Sequence, residues 1–403
     1  MDDRALDDVH VLPADLERRP DPYPWFDELR AAGPVQRVRL RGGTEAWMVT
    51  RHRDVLAAAG DPRLSSDPSR VDAGTRMLGT PTMPSMLTID PPDHTRLRRL
   101  VSRAFTARRV EGLRPRVREL AGELLDAIAP RGHADLVADF AFPLPVAVIC
   151  ELLGVPFADR AFFSRQSAEL LRPPVDAEGV ALVEAARQRL RDYLAALVRS
   201  KRLHRTDDML GDLVTAGEEQ RLTDEELISM AVLLLVAGHE TTVNLIGTGM
   251  LLLLRRPYEM AALRADPALL APAVEEFLRY DGPVMTGVVR YTTEDVEIGG
   301  RTVPAGEVVV LSTGAANRDP ERFDRPDEVI LDRGDNPHVA FGHGLHFCLG
   351  AALARVEAVE GIGALLRRLP RLTLAVPEDE LRWRPSLLRG LGALPVSFDP
   401  GAR

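Results

Sequence analysis

A mainly α-helical fold carrying small β-sheets is the class this sequence predicts. Three observations lead there. From Val110 to Lys201 the apolar periodicity reads as helix after helix. A single very long apolar helix is predicted from Thr223 to about Leu254. Residues 284–312 then change to the period of short strands separated by Gly and Pro turns. With 403 residues the chain is long enough for two or three domains, although single folds of this size exist. The apolar fraction of 45% is ample for a sizeable core.

Several function classes are disfavoured at the outset. A net charge of −9 argues against nucleic acid as the main partner. Two cysteines and no secretory pattern fit a reducing cytoplasm. The N-terminus, Met1-Asp2-Asp3-Arg4, lacks an apolar signal core. The apolar run Leu227 to Gly238 is too short to span a bilayer and is interrupted by His239-Glu240, so no membrane anchor is expected. Lys201 is the one lysine, in the polar run Arg199-Ser200-Lys201-Arg202, and no Gly-x-x-x-x-Gly-Lys occurs. A Walker-type phosphate loop and a Schiff-base lysine are therefore disfavoured.

Taken in order, the chain opens with a helix after Asp21-Pro22, with Trp25, Phe26 and Leu29 on one face. Val35 to Thr50 reads as a hairpin turning at Gly42-Gly43. Asp61 to Met86 is rich in Pro, Gly, Ser and Thr without periodicity, which suggests a functional loop or lid as readily as a plain surface excursion. Asp90-Pro91-Pro92-Asp93 opens a basic helix in which His94 and Arg98, four apart, share a face. That face could bind an anionic group or simply be solvated. Ala158 to Leu171 and Asp176 to Lys201 read as two helices joined through Arg172-Pro173-Pro174, a pair that could roof a pocket.

The long helix begins at a capping box, Thr223 with Glu226. Being apolar nearly all round, it should run through the middle of the protein. Inside it sits Ala237-Gly238-His239-Glu240-Thr241-Thr242. A helix-interior glycine costs about 1 kcal/mol against alanine, and a buried charge costs more unless paired. Side by side they suggest a locally opened turn at a functional site. A structural role is the alternative: Thr241 bonding back to its own turn, and Glu240 paired elsewhere. Further on, Asp266-Pro267 caps a helix in which Glu276 and Arg279 are three apart and can pair. That helix ends at Tyr280-Asp281-Gly282-Pro283. Short strands follow at Val288-Val289-Arg290-Tyr291, Val296-Glu297-Ile298 and Val308 to Leu311. Asn317 to Pro337 is irregular. A last helix spans Ala351 to Leu369, and terminal strands lie near Leu372–Val376 and Leu394–Phe398.

Before that last helix lies Phe341-Gly342-His343-Gly344-Leu345-His346-Phe347-Cys348-Leu349-Gly350. Glycines let backbone approach a large flat ligand, and a helix N-terminus favours a thiolate. The ordinary alternative is a small hydrophobe in a tight turn. The other cysteine, Cys150, lies in a plain apolar run.

Together these stretches resemble the cytochrome P450 family, of the soluble actinomycete type. Phe341-Gly342-x-Gly344-x-His346-x-Cys348-x-Gly350 resembles its haem-binding loop, Glu276-x-x-Arg279 its buried ion pair, and Ala237-Gly238-x-Glu240-Thr241 its oxygen-activating segment. They stand in the family's order across essentially the whole chain. The resemblance implies a single P450 domain over residues 1–403, with the long helix over the haem and a smaller β-rich region from about 30–50, 284–312 and 372–398. It implies that Cys348 is the thiolate ligand of a b-type haem (iron protoporphyrin IX), and that His94, Arg98, Arg290 and His346 hold the haem propionates. Glu240 and Thr241 would deliver protons for oxygen activation. Glu276, Arg279 and Arg333 would form a structural cluster. Family position also marks Leu233, Leu234, Ala237, Met285 and Thr286 as substrate contacts. The family's Pro-Asp-Arg-Phe here reads Pro326-Asp327-Glu328-Val329, which leaves the packing of that stretch open.

The implied activity is a monooxygenase using O2 on an apolar, medium-to-large natural product such as a polyketide or macrolide. No flavin motif is present, and two cysteines cannot hold an iron–sulfur cluster. Electrons from NAD(P)H would therefore arrive through a ferredoxin and ferredoxin reductase, with the enzyme a cytoplasmic monomer. A peroxygenase, an oxidative coupling enzyme and a non-enzymatic haem sensor are the competing readings.

Overall fold

A computed structural model describes residues 9–72, 76, 85–103, 105–173, 176–204, 206–215 and 222–400. Its helices begin with α1 (Tyr23–Ala32), α2 (His52–Gly60), α3 (Asp93–Ser102), α4 (Ala107–Ile128), α5 (Pro143–Leu153), α6 (Arg160–Leu170) and α7 (Ala177–Leu203). They continue as α8 (Met209–Thr215), α9 (Asp224–Leu254), α10 (Pro257–Ala265), α11 (Leu270–Asp281), α12 (Thr313–Asn317) and α13 (Ala351–Arg368). The first strands are β1 (His10–Val11), β2 (Val35–Arg39), β3 (Glu45–Val49), β4 (Leu64–Ser65) and β5 (His133–Asp135). The remainder are β6 (Val288–Thr292), β7 (Val296–Ile298), β8 (Arg301–Val303), β9 (Val308–Leu311), β10 (Thr373–Leu374) and β11 (Pro395–Ser397).

The main sheet has the order β1-β2-β3-β9-β6-β4. Its first hairpin pairs Val35 with Val49 and Val38 with Ala46, and Gly42 and Gly43 make the turn at φ of 83° and 90°, backbone that glycine adopts at little cost. The parallel step from β3 to β9 joins residues more than 250 positions apart. Next to β9, strand β6 holds Arg290 opposite Val309. Strands β10 and β11 also pair, and β5 extends them into a second sheet. Several short strands, β1 and β4 among them, were absent from the periodicity. β5 lies inside the stretch read as continuous helices, and β8 closes a small hairpin with β7. The stretch Asp61 to Met86 is not structureless either, since it supplies β4 and a 3-10 turn over Pro68–Arg70. Residues 73–75 and 77–84 of it lie outside the described residues.

Helix α9 is the axis around which α5, α7, α11 and α13 pack. The expected capping box starts it: the Thr223 hydroxyl accepts from the Glu226 amide at 3.2 Å, and the Glu226 carboxylate from the Thr223 amide at 2.9 Å. By length and composition α9 could cross a membrane, but most of its apolar stretch is buried against neighbouring helices. Ile246, Met250, Phe277, Ile362 and Leu365 meet in the core, each at most 1% exposed. Fully burying such side chains contributes about 1.5–3 kcal/mol each.

The opened turn expected in this helix is not there. Residues 224–254 are one unbroken α-helix. Gly238 serves close packing instead: a Cβ at that position would lie 2.8 Å from Cδ1 of Ile149 on α5. The Thr241 hydroxyl donates back to the Ala237 carbonyl at 3.0 Å, so it satisfies itself without parting the turn.

Candidate functional site

The cysteine loop is shaped by its glycines and by one backbone bond. Gly342 and Gly344 have φ of 73° and 70°, and a Cβ on Gly344 would sit 2.8 Å from the Ala59 carbonyl at the end of α2. The Cys348 amide donates to the Phe341 carbonyl at 2.8 Å. The Gly350 and Ala351 amides at the start of α13 act on the Cys348 thiol in favour of the thiolate. Burial is the largest influence on the thiol and raises it above its ordinary range. The two amides, Arg98 and Arg355 pull the other way. Cys348 is nonetheless solvent-accessible. The two facts agree if the sulfur lies on the floor of a hollow, surrounded by protein yet open on one side. Cys150 is fully buried in α5.

Leu349 packs against the cluster that contains Leu234 and Leu235, so the loop and α9 border the same interior. On α9, Ala237 is exposed and Leu233 and Thr241 are half-buried, although most of the helix around them is buried. Positions 233, 237 and 241 are spaced by four and share a face. That face is the open one, and Leu234 is turned into the core. Met285 and Thr286 are not brought to it. Met285 is 1% exposed in the core beneath the main sheet, and its carbonyl accepts from the Gly314 amide at 2.9 Å. The Thr286 hydroxyl donates to Glu17 at 2.8 Å, toward the N-terminal segment.

The four residues expected at the propionates do meet. The His94 and His346 rings lie 4.3 Å apart, Arg98 donates to the Phe347 carbonyl at 2.6 Å, and Arg290 on β6 is buried. Burial, then Arg290, His94 and Arg98, push His346 down to about 3. Burial and then Arg98 lower His94, and burial lowers both Arg98 and Arg290. His94 is fully buried with neither ring nitrogen hydrogen-bonded. The nearby carboxylate, Asp90, is engaged by the Ser66 amide at 2.9 Å and by the Ser65 hydroxyl. This is a crowd of cationic and imidazole groups in want of an anion. Two carboxylates with a thiolate donor close by in sequence and fold would meet that need, so these residues fit a haem. A partner the spacing did not disclose is Ser66, whose hydroxyl is 2.9 Å from His346 Nε2.

Behind the loop, Glu276 and Arg279 form a two-pronged pair at 2.8 Å, both wholly buried. Arg333 Nε reaches Glu276 at 3.0 Å. Arg279 also donates to the Pro326 and Glu328 carbonyls at 2.8 and 2.9 Å. Backbone carbonyls thus hold the divergent Pro326–Val329 stretch, which explains why its altered side chains are accommodated.

Glu240 is buried with 3% of its side chain exposed. Its carboxylate accepts from Arg384 Nη2 at 2.7 Å. Arg384 gave no signal in the sequence, because it is 144 residues away. His239 lies 3.7 Å from the same carboxylate, but burial lowers it, and its Nδ1–H donates to the Leu235 carbonyl at 2.7 Å.

A helix-rich fold with a thiol at a helix start, an anion-seeking crowd beside it and an acid–alcohol pair on the central helix defines a haem-thiolate oxygenase. Residues 177–383 match the family model for cytochrome P450. The chain is 50% identical over 385 residues to cytochrome P450 107B1 of Saccharopolyspora erythraea, covering 92% of this chain and 93% of that one. It is 47% identical over 375 residues to the mycinamicin IV hydroxylase/epoxidase of Micromonospora griseorubida, covering 92% and 94%. Among solved structures, the myxobacterial cytochrome P450 CYP267B1 in complex with myristic acid superposes with a TM-score of 0.89 at 42% identity, covering 99% of each chain. The protein belongs to the cytochrome P450 family and is a monooxygenase of the bacterial kind.

Proposed function

We propose that this enzyme inserts one oxygen atom of O2 into an apolar, medium-to-large natural product, by hydroxylation or epoxidation, as a tailoring step of secondary metabolism. The observation that carries the reading is the open face of α9. Leu233 and Ala237 present only hydrocarbon there, beside the Thr241 hydroxyl. Pockets with apolar walls and few polar groups take ligands of this type. A relative named for mycinamicin and a structural neighbour holding myristic acid support the same class.

Haem, when bound, supplies the oxygen activation, with thiolate ligation favouring O–O cleavage, as is general for this family. Cys348 is its ligand in this reading. His94, Arg98, Arg290 and His346 anchor its propionates and so fix its orientation. Glu240 and Thr241 hold and pass protons. Electrons come from NAD(P)H through a ferredoxin and its reductase, and the enzyme works as a cytoplasmic monomer.

The test is a screen of macrolides, polyketides and long-chain acids for the low-to-high spin shift of the loaded protein. Hits are then incubated with ferredoxin, reductase and NAD(P)H. A macrolide or polyketide that shifts the spectrum and gains one oxygen supports the reading. Shifts only with small polar compounds, or equal turnover with peroxide alone, would overturn it. The reduced, carbon monoxide-bound spectrum checks the ligand. Cys348→Ala should lose the red-shifted band and Cys150→Ala should keep it.

A further inference from the structure

Among the described residues one side chain donates a hydrogen bond to Glu240, and it comes from the far end of the chain. Arg384 Nη2 bridges two residues one helical turn apart on α9. It donates to the Glu240 carboxylate at 2.7 Å and to Asn244 Oδ1 at 2.8 Å. Among the described residues it is the one arginine or lysine within ion-pair distance of Glu240. His239 does not compete, because burial favours its neutral form and its N–H is spent on a carbonyl.

The hairpin that carries Arg384 is anchored on every side. Trp383 and Leu391 form a bridge at its base, and the Arg384 amide donates to the Gly390 carbonyl at 2.9 Å. The Gly390 backbone lies so close to α9 that a Cβ there would fall 2.0 Å from Asn244 Oδ1. The residue before it, Arg389, is 1% exposed and pairs with Asp281 at 2.6 Å. At the tip, the Leu387 amide donates to the Leu171 carbonyl, just beyond α6, at 2.9 Å. A side chain on such a support cannot drift, which is how supporting residues hold a reacting group to a fraction of an ångström.

Exposure gives the pair a direction. Arg384 is 24% exposed and Glu240 3%, so the arginine is the edge at which water meets the buried carboxylate. We propose that Arg384 is the positioning residue of this site: it fixes the Glu240 carboxylate against the C-terminal hairpin and is the solvent edge from which its proton is replaced. Each cycle breaks one O–H bond of a hydronium ion at that edge, leaving neutral water in the solvent, and forms one O–H bond on Glu240. Glu240 then gives that proton up toward Thr241, and no electron moves. A buried carboxylate that loses its cationic partner is left desolvated and unpaired, which favours its protonated form.

The inference rests on the reading of Glu240 as a proton relay, and the experiment separates the two. Arg384→Gln, Arg384→Lys and Asn244→Leu are compared with Glu240→Gln in the haem-loaded enzyme, each first checked by thermal melting and the carbon monoxide spectrum. The readouts are infrared difference spectra of the resting protein, the solvent isotope effect on turnover, and the midpoint of the substrate spin shift. Arg384→Gln should produce a protonated-carboxyl stretch that the Glu240→Gln/Arg384→Gln double variant lacks. It should also lower turnover roughly tenfold with an enlarged solvent isotope effect, less than the roughly 10²–10⁴-fold that general acid–base groups themselves contribute, because Arg384 acts through Glu240. The spin-shift midpoint should not move. Arg384→Lys should recover most of the turnover. Asn244→Leu keeps the charge while freeing its aim, and should fall between.

An unchanged infrared spectrum and isotope effect in Arg384→Gln, with Glu240→Gln impaired, overturns the inference and leaves the relay standing. An unimpaired Glu240→Gln overturns the relay reading itself, whatever the infrared shows for Arg384. If Arg384→Gln does not fold, Asn244→Leu decides alone: a parent-like isotope effect and turnover in that variant would overturn the proposal.

Discussion

Replacing Arg279 by methionine should all but unfold the protein while leaving the haem face untouched. The guanidinium is fully buried and donates at five places: twice to Glu276 at 2.8 Å, and to the carbonyls of Asn317 at 3.0 Å, Pro326 at 2.8 Å and Glu328 at 2.9 Å. Removing one partner of a buried ion pair costs about 3–5 kcal/mol. Glu276 would keep Arg333 at 3.0 Å and the Ile330 amide at 2.9 Å, which favours the lower end of that range. The Glu328 carbonyl keeps a long bond from Arg333 at 3.3 Å. The other two carbonyls lose this donor, at about 1–3 kcal/mol each. Interactions in one network are not additive, so a total of about 5 kcal/mol is a fair floor. Stabilities of 5–15 kcal/mol are typical, so this is a large share of the whole. Arg279→Lys should recover little, because one ammonium cannot reproduce the fork. Urea unfolding followed by circular dichroism reads the loss. The folded fraction should still give the thiolate-type carbon monoxide spectrum, since Arg279 has no partner on the hollow. A loss under about 2 kcal/mol would refute this accounting of buried ion pairs.

Three further outcomes follow from other contacts. Burial alone would raise Glu275, but Arg355 at 2.7 and 2.8 Å and His338 at 3.1 Å hold it at about 2, below its ordinary 4.5. A carboxylate lowered on folding adds stability above its unfolded value. That contribution, about 3 kcal/mol, is lost as pH falls from 4.5 toward 2. The gap in urea midpoint between the parent and Glu275→Gln should therefore narrow between pH 7 and pH 3, and a constant gap would refute it. Gly238→Ala places a methyl 2.8 Å from Ile149 Cδ1. Overpacking costs about 1–3 kcal/mol against a helix gain of about 1 kcal/mol. The melting temperature should fall modestly, and Gly238→Ala should cost less in an Ile149→Ala background, which removes both carbons within 2.9 Å, whereas a helix-opening role for Gly238 would give the same cost in either background. Thr241→Ala removes a half-buried, self-bonded hydroxyl, so stability should change by less than about 0.5 kcal/mol. Product formed per NAD(P)H should drop as oxygen is diverted to peroxide, and unchanged coupling would place the proton path elsewhere.

What could be read from the chain, and what could not, divides by distance along it. The capping box at Thr223, the Gly42-Gly43 hairpin and the cysteine loop are relations between residues a few positions apart. Backbone geometry fixes such relations before any tertiary contact forms. His94 and Arg98 were legible as one face for the same reason. Gly238 was misread because helix propensity counts what a glycine lacks, whereas here the missing Cβ is the space that Ile149 fills. Strand β5 was missed because three residues among helices have no period of their own, and only pairing with β11 makes them a strand. Met285 and Thr286 were placed by their position before Arg290, yet alternation along that segment turns one into the core and the other toward Glu17. Arg384 shows the limit most clearly. A charge inside an apolar helix signals that a partner exists, and Glu240 carried that signal in plain view. Which arginine answers it depends on how the hairpin of residues 383–391 crosses back over α9. That path is set by Gly390 against Asn244 and by Arg389 against Asp281. The acid of the site is thus written locally and its control is written in the topology. Sequence motifs can identify the chemistry of such an enzyme well before they identify what regulates it.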